Sequence, residues 1–149
     1  MNQDFHDLLR AFCDAEVRFL IVGAYAVSAH AEPRGTGDLD VWVEPTPQNA
    51  TRAYAALRAF GAPLHALTEA DLAQPGIVFQ IGLPPRRIDI LTSITGVDFE
   101  AAWQGRLPVE YAGVPCSVIG LEALIENKHR LGRTKDLADL ELLERHRRR

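Results

Sequence analysis

The chain has 149 residues, of which 47% are hydrophobic and 24% are charged, a length and composition typical of one globular domain. Its longest nearly unbroken apolar stretch, 19–27, is shorter than the roughly 20 residues of a membrane span, and the chain begins with acidic residues where an export signal would be basic. We therefore expect a cytoplasmic protein without a membrane segment. The formal net charge is −4 although four arginines lie within 145–149, so the rest of the chain is acidic, which disfavours a broad duplex-DNA-binding surface.

Helices and strands alternate in the first half of the predicted structure. Apolar residues at helical or strand spacing predict a helix over 5–13, a strand over 17–22, a helix over 24–31, a strand over 38–44 and a helix over 50–60. Pro47 is expected in the first turn of the last of these helices, and Gly61 is expected to end it. In the strand over 38–44 every second residue is apolar, which predicts one buried face and one polar face.

The second half of the chain supplies further strands and two C-terminal helices. The patterns predict strands over 76–82 and 86–91, a short helix over 99–103, short strands around Tyr111 and Ser117, and helices over 121–131 and 134–146. The strands on either side of Pro84-Pro85 are expected to be antiparallel. The sum is an α/β or α+β fold in which a small mixed sheet is flanked by helices. We expect one domain over 1–149, with a helical segment from about 120 to the end.

Asp38 and Asp40 form an acid-x-acid pair at the start of a predicted strand. Side chains two residues apart in a strand point the same way at a spacing of about 7 Å, so both carboxylates stand on one face. Mg²⁺ prefers oxygen ligands and is commonly held by one or two carboxylates together with substrate phosphates. An isolated pair of this kind is more often a solvated acidic face. The interpretation as a metal site therefore depends on the rest of the sequence.

Two further features point to the same kind of site. Asp89 stands between apolar neighbours on a later predicted strand, where it would face the first pair if the two strands are adjacent. Upstream, the apolar strand over 17–22 stops at Gly23-Ala24 and is followed by a helix. The N-terminus of a helix presents unpaired N–H groups to an anion, so this turn suits a phosphate. The combination predicts one site for phosphate and metal.

These motifs resemble the nucleotidyltransferase superfamily of the polymerase β type, whose signature is an apolar strand ending in Gly-Gly or Gly-Ser, an acid-x-acid strand and a third acid on a later strand. The corresponding residues here are Gly23-Ala24, Asp38 with Asp40, and Asp89. The stretches over 23–40 and 127–140 are similar to a small bacterial branch that includes AbiEii-type abortive-infection toxins. Ala24 departs from the pattern because it lacks any hydroxyl that the family places on a phosphate, which is compatible with a weaker hold on a triphosphate.

The resemblance implies Mg²⁺-dependent transfer of a nucleoside monophosphate from an NTP such as ATP to an acceptor hydroxyl, with release of pyrophosphate. Asp38 and Asp40 would hold the nucleotide-bound Mg²⁺, and together with Asp89 they would hold a second Mg²⁺. Mn²⁺ is the alternative metal for both positions. Asp89 is also a candidate for the base that takes the proton of the acceptor. Gly23 and Ala24 would contact the phosphates through their backbone N–H groups.

Further predicted nucleotide contacts are Arg34, Thr36, Lys128 and Lys135. Arg34 and Thr36 precede the acid pair and could hold phosphate oxygens, with a pairing between Arg34 and a neighbouring acid as the alternative. Lys128 and Lys135 flank the predicted break between the two C-terminal helices. The resemblance favours neutralisation of a triphosphate by both lysines, and the alternative is pairing with acidic residues of the same helices.

The acceptor stays open at this level among an RNA end such as that of a tRNA, a small hydroxylated molecule and a protein side chain. An RNA acceptor would fit a toxin with a cognate antitoxin, and a domain of this size would need a homodimer or another partner to complete its cleft. The alternative function is a catalytically degenerate, antitoxin-like module that binds a nucleotide or a partner. Ala24 favours that alternative slightly, whereas the intact Asp38, Asp40 and Asp89 argue against it.

Overall fold

The computed structural model describes residues 1–32 and 37–148. The helices are α1 (Gln3–Asp14), α2 (Gly23–His30), α3 (Pro47–Phe60), α4 (Phe99–Gln104), α5 (Leu121–Leu131) and α6 (Thr134–Arg147). The strands are β1 (Phe19–Val22), β2 (Leu39–Val43), β3 (Val78–Ile81), β4 (Ile88–Leu91), β5 (Leu107–Tyr111) and β6 (Val114–Val118). The types and order of the helices and strands match the sequence predictions, and their ends differ by a few residues. A 3₁₀ turn over Ala70–Ala73 is an addition to the predicted elements.

The described strands form a six-stranded sheet in the order β3-β4-β2-β1-β6-β5. β2 runs parallel to β4 and β1 runs parallel to β6, while the other neighbouring pairs are antiparallel. The predicted mixed sheet flanked by helices is therefore confirmed, and so is the antiparallel pairing of β3 with β4. In this strand order the first residues of β2 and β4 and the last residues of β1 lie next to each other, at the same end of these three neighbouring strands.

Local sequence signals set the ends of α1 and α3. The side-chain oxygen of Asn2 accepts a hydrogen bond from the backbone N–H of Phe5 at 2.9 Å, and Thr46 caps α3 in the same way. Pro47 occupies the first turn of α3, where a helix makes no use of the missing N–H. Gly61 ends α3 in the left-handed conformation with φ 95°, as the sequence predicts.

The hydrophobic core lies on both faces of the sheet. Every residue of β1 is buried, which requires cover on both sides because neighbouring side chains point in opposite directions. α1 adds its apolar face through Phe5, Leu8, Leu9 and Phe12. Trp42 on β2 is 1% exposed and meets Phe99 of α4 edge to face, with 4.9 Å between ring centroids. The polar face predicted for this strand therefore extends no further than Asp40. Among the described residues, no helix combines the length and the apolar composition that crossing a membrane requires.

Candidate active site

The sheet register gathers the three predicted carboxylates. Asp40 on β2 lies opposite Asp89 on β4, and on its other side it lies opposite Val22, the last residue of β1. Residues paired across a sheet project to the same face. Asp40 and Asp89 therefore point to the same face of the sheet, and both lie near the start of their strands. Asp38 precedes β2, and the side chains of all three acids line one cleft. The adjacency of strands on which the sequence interpretation depended is therefore present.

Arg87, immediately before β4, binds two of these carboxylates at once. Its Nε donates to Asp89 Oδ1 at 2.7 Å and its Nη2 to Asp89 Oδ2 at 3.2 Å. Nη2 also lies 3.3 Å from Asp38 Oδ2, and the backbone N–H of Arg87 donates to Asp38 Oδ1 at 2.9 Å. Sequence reasoning did not include Arg87 among the site residues. The signal for it was the Arg-x-Asp spacing, which puts both side chains on one face of a strand.

Crowding of the carboxylates changes the acidity of Asp40. The pKa of Asp40 is raised from 3.8 to about 7. Burial is the largest cause, followed by the negative charge and hydrogen bond of Asp89 and then the charge of Asp38, while the positive charge of Arg87 acts in the opposite direction. A proton shared within such a cluster relieves like-charge repulsion. The site therefore carries more negative charge than Arg87 neutralises, and it is suited to an additional cation.

The donor set fits a divalent metal of the Mg²⁺ type. Asp38, Asp40 and Asp89 offer only carboxylate oxygens, which is the ligand chemistry that Mg²⁺ and Mn²⁺ prefer. Across residues 1–32 and 37–148, no three acidic, histidine or cysteine side chains are already arranged to hold a metal ion. The oxygens of Asp38 and Asp89 are directed at Arg87 instead. The three acids therefore fit a divalent metal by the chemistry of their oxygens and by their positions around one cleft.

Gly23, the first residue of α2, is packed against Asp40. It has a left-handed φ of 68°, a conformation in which a side chain is strained. A Cβ at this position would overlap the carboxylate oxygen Oδ2 of Asp40. Gly23 and Ala24 line the same cleft as the carboxylates, and α2 begins there without a side-chain cap from the described residues. The helix N-terminus that the sequence predicts as a phosphate contact is thus next to the acids.

Gly23→Ala is expected to damage both the fold and the site. The strained φ alone costs about 1–2 kcal/mol, and the added methyl group must displace Asp40. Urea denaturation should show that loss, and titration should show weaker metal-dependent nucleotide binding. Gly105→Ala is the matched control, since Gly105 has φ −97° and open space where its Cβ would lie. Equal behaviour of the two variants would contradict the contact described.

The break between α5 and α6 forms another wall of the cleft, and there Lys128 is buried in ion pairs. Lys128 Nζ lies 3.3 Å from Asp136 Oδ1 and 3.1 Å from Asp139 Oδ2. Arg133 Nε also donates to Asp136 Oδ2, at 2.6 Å. Burial alone would raise the pKa of Asp136, but hydrogen bonds from Arg133 and Lys128 outweigh it and lower that pKa. The pairing that the sequence left as the alternative for Lys128 is therefore present.

Lys128→Met is expected to lower the free energy of unfolding by about 3 kcal/mol, the lower end of the cost of removing one partner from a buried ion pair, because Arg133 still binds Asp136. Asp136 is 0% exposed and would keep its charge without this cation. Lys135→Met removes an exposed lysine from the rim of the same cleft and should change stability by less than about 0.5 kcal/mol. Chemical denaturation of both variants tests this difference, and a Lys128 variant as stable as the Lys135 variant would refute it.

The other predicted nucleotide contacts divide into those that the structure places and those that it does not describe. Lys135 lies on the rim of the cleft and is exposed. Arg34 and Thr36 lie outside the described residues. Asn127 lines the cleft without having been predicted, and its Nδ2 donates to the carbonyl oxygen of Thr95 at 3.0 Å. Asn127 belongs to the stretch over 127–140 that carries the family resemblance, but the sequence alone did not indicate that its side chain lines the cleft.

The cleft has a volume of about 790 Å³, within the range of roughly 300–1,000 Å³ that small-molecule sites occupy. A second groove of about 650 Å³ lies between α1 and α3, lined among others by Asp4, Asp7, Asp14 and Phe60. That groove contains none of the predicted site residues. The chemistry of the described residues is therefore concentrated at the first cleft.

Comparison with known proteins gives a likeness of structure. No family model matches the chain, and no curated protein sequence matches it. The crystal structure of ANT(2'')-Ia in complex with adenylyl-2''-tobramycin is similar at a TM-score of 0.61 and 18% identity, over 93% of this chain and 84% of that one. Lincomycin-bound LnuA, a lincosamide antibiotic adenylyltransferase, is similar at 0.59 and 15%, over 97% and 96%.

A third similar structure is that of a candidate nucleotidyltransferase from Thermotoga maritima, with a TM-score of 0.60 and 13% identity over 92% of this chain and 88% of that one. Identities this low establish the fold and nothing finer. The kinship with AbiEii-type toxins stays a prediction from the sequence motifs. The chain shares the fold of these nucleotidyltransferase structures across nearly its whole length.

Proposed function

We propose that the protein is a metal-dependent nucleotidyltransferase, which moves a nucleoside monophosphate from an NTP to an acceptor hydroxyl and releases pyrophosphate. The observation that carries this proposal is the gathering of Asp38, Asp40 and Asp89 beside the N-terminus of α2. Nucleotidyl transfer needs negative oxygens that hold divalent metal and N–H groups that hold phosphate, at one place. The likeness to adenylyltransferase structures supports the same reaction class and makes ATP the first nucleotide to test.

Each residue has a defined part in this mechanism. Asp38 and Asp40 would hold the metal that accompanies the nucleotide, and with Asp89 they would hold a second metal near the acceptor. Bound divalent metal supplies Lewis acidity at the α-phosphate and at the acceptor hydroxyl. The backbone N–H groups of Gly23 and Ala24 orient the phosphates. Lys135 is an exposed cation at the rim that can screen the charge of the polyphosphate.

The transfer itself exchanges one phosphorus–oxygen bond for another. The acceptor oxygen bonds to the α-phosphorus while the bond from that phosphorus to the bridging oxygen breaks, and pyrophosphate leaves with the bond's electron pair. Asp89 accepts the proton of the acceptor hydroxyl, because it is a carboxylate at the same face of the sheet as Asp40. The atoms and charges balance without any further reactant.

We propose a small hydroxylated molecule as the acceptor. ANT(2'')-Ia was solved with an adenylylated tobramycin and LnuA with lincomycin, both small molecules. The acidic charge of this chain outside its last residues disfavours a large RNA footprint. A toxin-type reaction on a tRNA end or a protein side chain, with a cognate antitoxin or a second copy of the chain as partner, is the other outcome of an acceptor screen.

The test is a transfer assay with each of the four NTPs labelled at the α-phosphate, in the presence of Mg²⁺ or Mn²⁺. Acceptors are a panel of hydroxylated antibiotics and sugars, total tRNA, and the protein itself. We expect label to move to a small molecule with stoichiometric pyrophosphate, and the transfer rate to fall by at least about 100-fold in Asp40→Asn. Labelled tRNA would replace the acceptor that we propose. Absence of transfer to every acceptor, together with absence of nucleotide binding, would contradict the proposed activity.

A further inference from the structure

Arg87 engages every carboxylate oxygen of Asp38 and Asp89. Its guanidinium contacts both oxygens of Asp89 and Oδ2 of Asp38, and its backbone N–H binds the remaining oxygen of Asp38. A planar guanidinium can satisfy two carboxylates in this way because its donors lie in a fixed fork. In this arrangement three of the carboxylate oxygens that would coordinate a divalent cation, both of Asp89 and Oδ2 of Asp38, already contact a guanidinium cation.

The charge of the cluster explains why a cation is held there. Asp38, Asp40 and Asp89 stand side by side, and close like charges are costly without compensation. The Arg87 side chain is 27% exposed and the Asp89 side chain 12%, so solvent screens their attraction only in part. The Arg87 side chain lines the open cleft rather than the core. It is therefore held by the acids at a position that solvent reaches.

We infer that Arg87 is the resident counter-cation of the metal-free site, and that its guanidinium must leave Asp38 and Asp89 before a divalent metal can bind those residues. This inference rests on the proposed function. It assigns to Arg87 a positioning role that sets metal affinity: the metal competes with an internal cation. It also accounts for the absence, among the described residues, of three side chains already arranged around a metal position.

The consequence is that metal alone binds weakly and that removal of the guanidinium strengthens its binding. Arg87→Gln leaves the backbone N–H bond to Asp38 in place and removes the contacts of the guanidinium. Charge-assisted hydrogen bonds of this kind are worth enough that we expect the affinity for Mn²⁺ to rise by about tenfold or more. Arg86→Gln is the matched control, because it removes the same charge from an exposed neighbour in the same loop.

The experiment measures free Mn²⁺ by electron paramagnetic resonance during titration of metal-free wild type, Arg87→Gln and Arg86→Gln. We expect Arg87→Gln to bind Mn²⁺ at least about tenfold more tightly than both other proteins. Thermal melting without metal should show Arg87→Gln to be less stable than Arg86→Gln, with a larger gain on adding Mn²⁺. Equal Mn²⁺ affinity for Arg87→Gln and Arg86→Gln would overturn the inference and leave the proposed function intact.

A measurement on the wild-type protein covers the case in which Arg87→Gln does not fold. In ¹⁵N-labelled protein the Nε–H of Arg87 should exchange slowly with solvent when metal is absent, because it is bonded to Asp89. Titration with Mg²⁺ should shift this resonance and speed its exchange as the site saturates. Retained protection at saturating Mg²⁺ would refute the inference alone. A protein that binds neither Mg²⁺ nor Mn²⁺, with or without ATP, would overturn the inference and the proposed function together.

Discussion

Asp40→Asn is expected to lower the rate of nucleotidyl transfer by at least about 100-fold, and Asp89→Asn is expected to do the same, with the fold retained in both. Each change removes one negative oxygen from the cluster that would hold the metal, and it does so with little change of volume. Asp40 lies opposite Asp89 across the strand pair, so the two variants probe the same site from neighbouring strands. Steady-state transfer rates and circular dichroism on each variant measure the two parts of this prediction.

Asp4→Asn is the matched control for this pair of variants. It removes the same charge from an exposed position in the first turn of α1, in the groove between α1 and α3 rather than in the cleft. Its transfer rate should equal that of the wild type. A large loss of rate for Asp4→Asn, with little loss for Asp40→Asn, would place the reaction in the groove between α1 and α3 and would contradict an active site at Asp40.

Metal-dependent nucleotide binding is expected to weaken as the pH falls through about 7. In the metal-free protein burial and the neighbouring Asp89 and Asp38 raise the pKa of Asp40 to about 7, so at lower pH Asp40 carries a proton that a metal must displace. Binding isotherms in two buffers of different ionisation enthalpy should show tighter binding at pH 8 than at pH 6, and release of a proton on binding at pH 6. An affinity independent of pH across this range would contradict the raised pKa.

The same raised pKa has an opposite effect on the stability of the metal-free protein. Between the ordinary pKa of 3.8 and about 7 the folded protein binds more protons than the unfolded chain, so the free energy of unfolding falls as the pH rises. The loss of stability builds up across this window, by at most about 1.4 kcal/mol for each pH unit. Above the window Asp40 is ionised in both states and the loss is complete. Asp40→Asn should therefore be more stable than the wild type at pH 8 in EDTA, and this advantage should shrink at pH 5. Urea denaturation at both pH values measures it.

The sequence predicted most of the fold because its local signals agree with its hydrophobic pattern. Alternation over 38–44 indicated β2, Pro47 and Gly61 marked the ends of α3, and the apolar strand before Gly23 indicated β1. Neither the strand order nor the parallel pairing of β2 with β4 could be obtained from these signals. Pairing of strands distant in sequence depends on how the whole sheet packs, which no local pattern encodes.

The sequence also singled out the three carboxylates that the fold brings to one cleft. Asp38, Asp40 and Asp89 could be named from motif and spacing, and the register then places Asp40 opposite Asp89. The sequence offered ion pairing of Lys128 with acids of these helices as an alternative, but it did not indicate that the pairs with Asp136 and Asp139 are buried, because burial depends on how α6 packs after α5. Arg87 was within reach of sequence reasoning through its spacing from Asp89. Its bridge to Asp38 depends on the pairing of β2 with β4.

The most direct test of the central claim is calorimetric titration of wild type and Asp40→Asn with α,β-methylene ATP, in Mg²⁺ and in EDTA, followed by the analogues of the other three nucleotides. We expect the wild type to bind at least one nucleotide only when metal is present, and Asp40→Asn to weaken this binding strongly. Metal-independent binding that Asp40→Asn leaves unchanged would place the nucleotide elsewhere. Absence of binding to all four nucleotides would contradict a nucleotidyltransferase site at Asp38, Asp40 and Asp89.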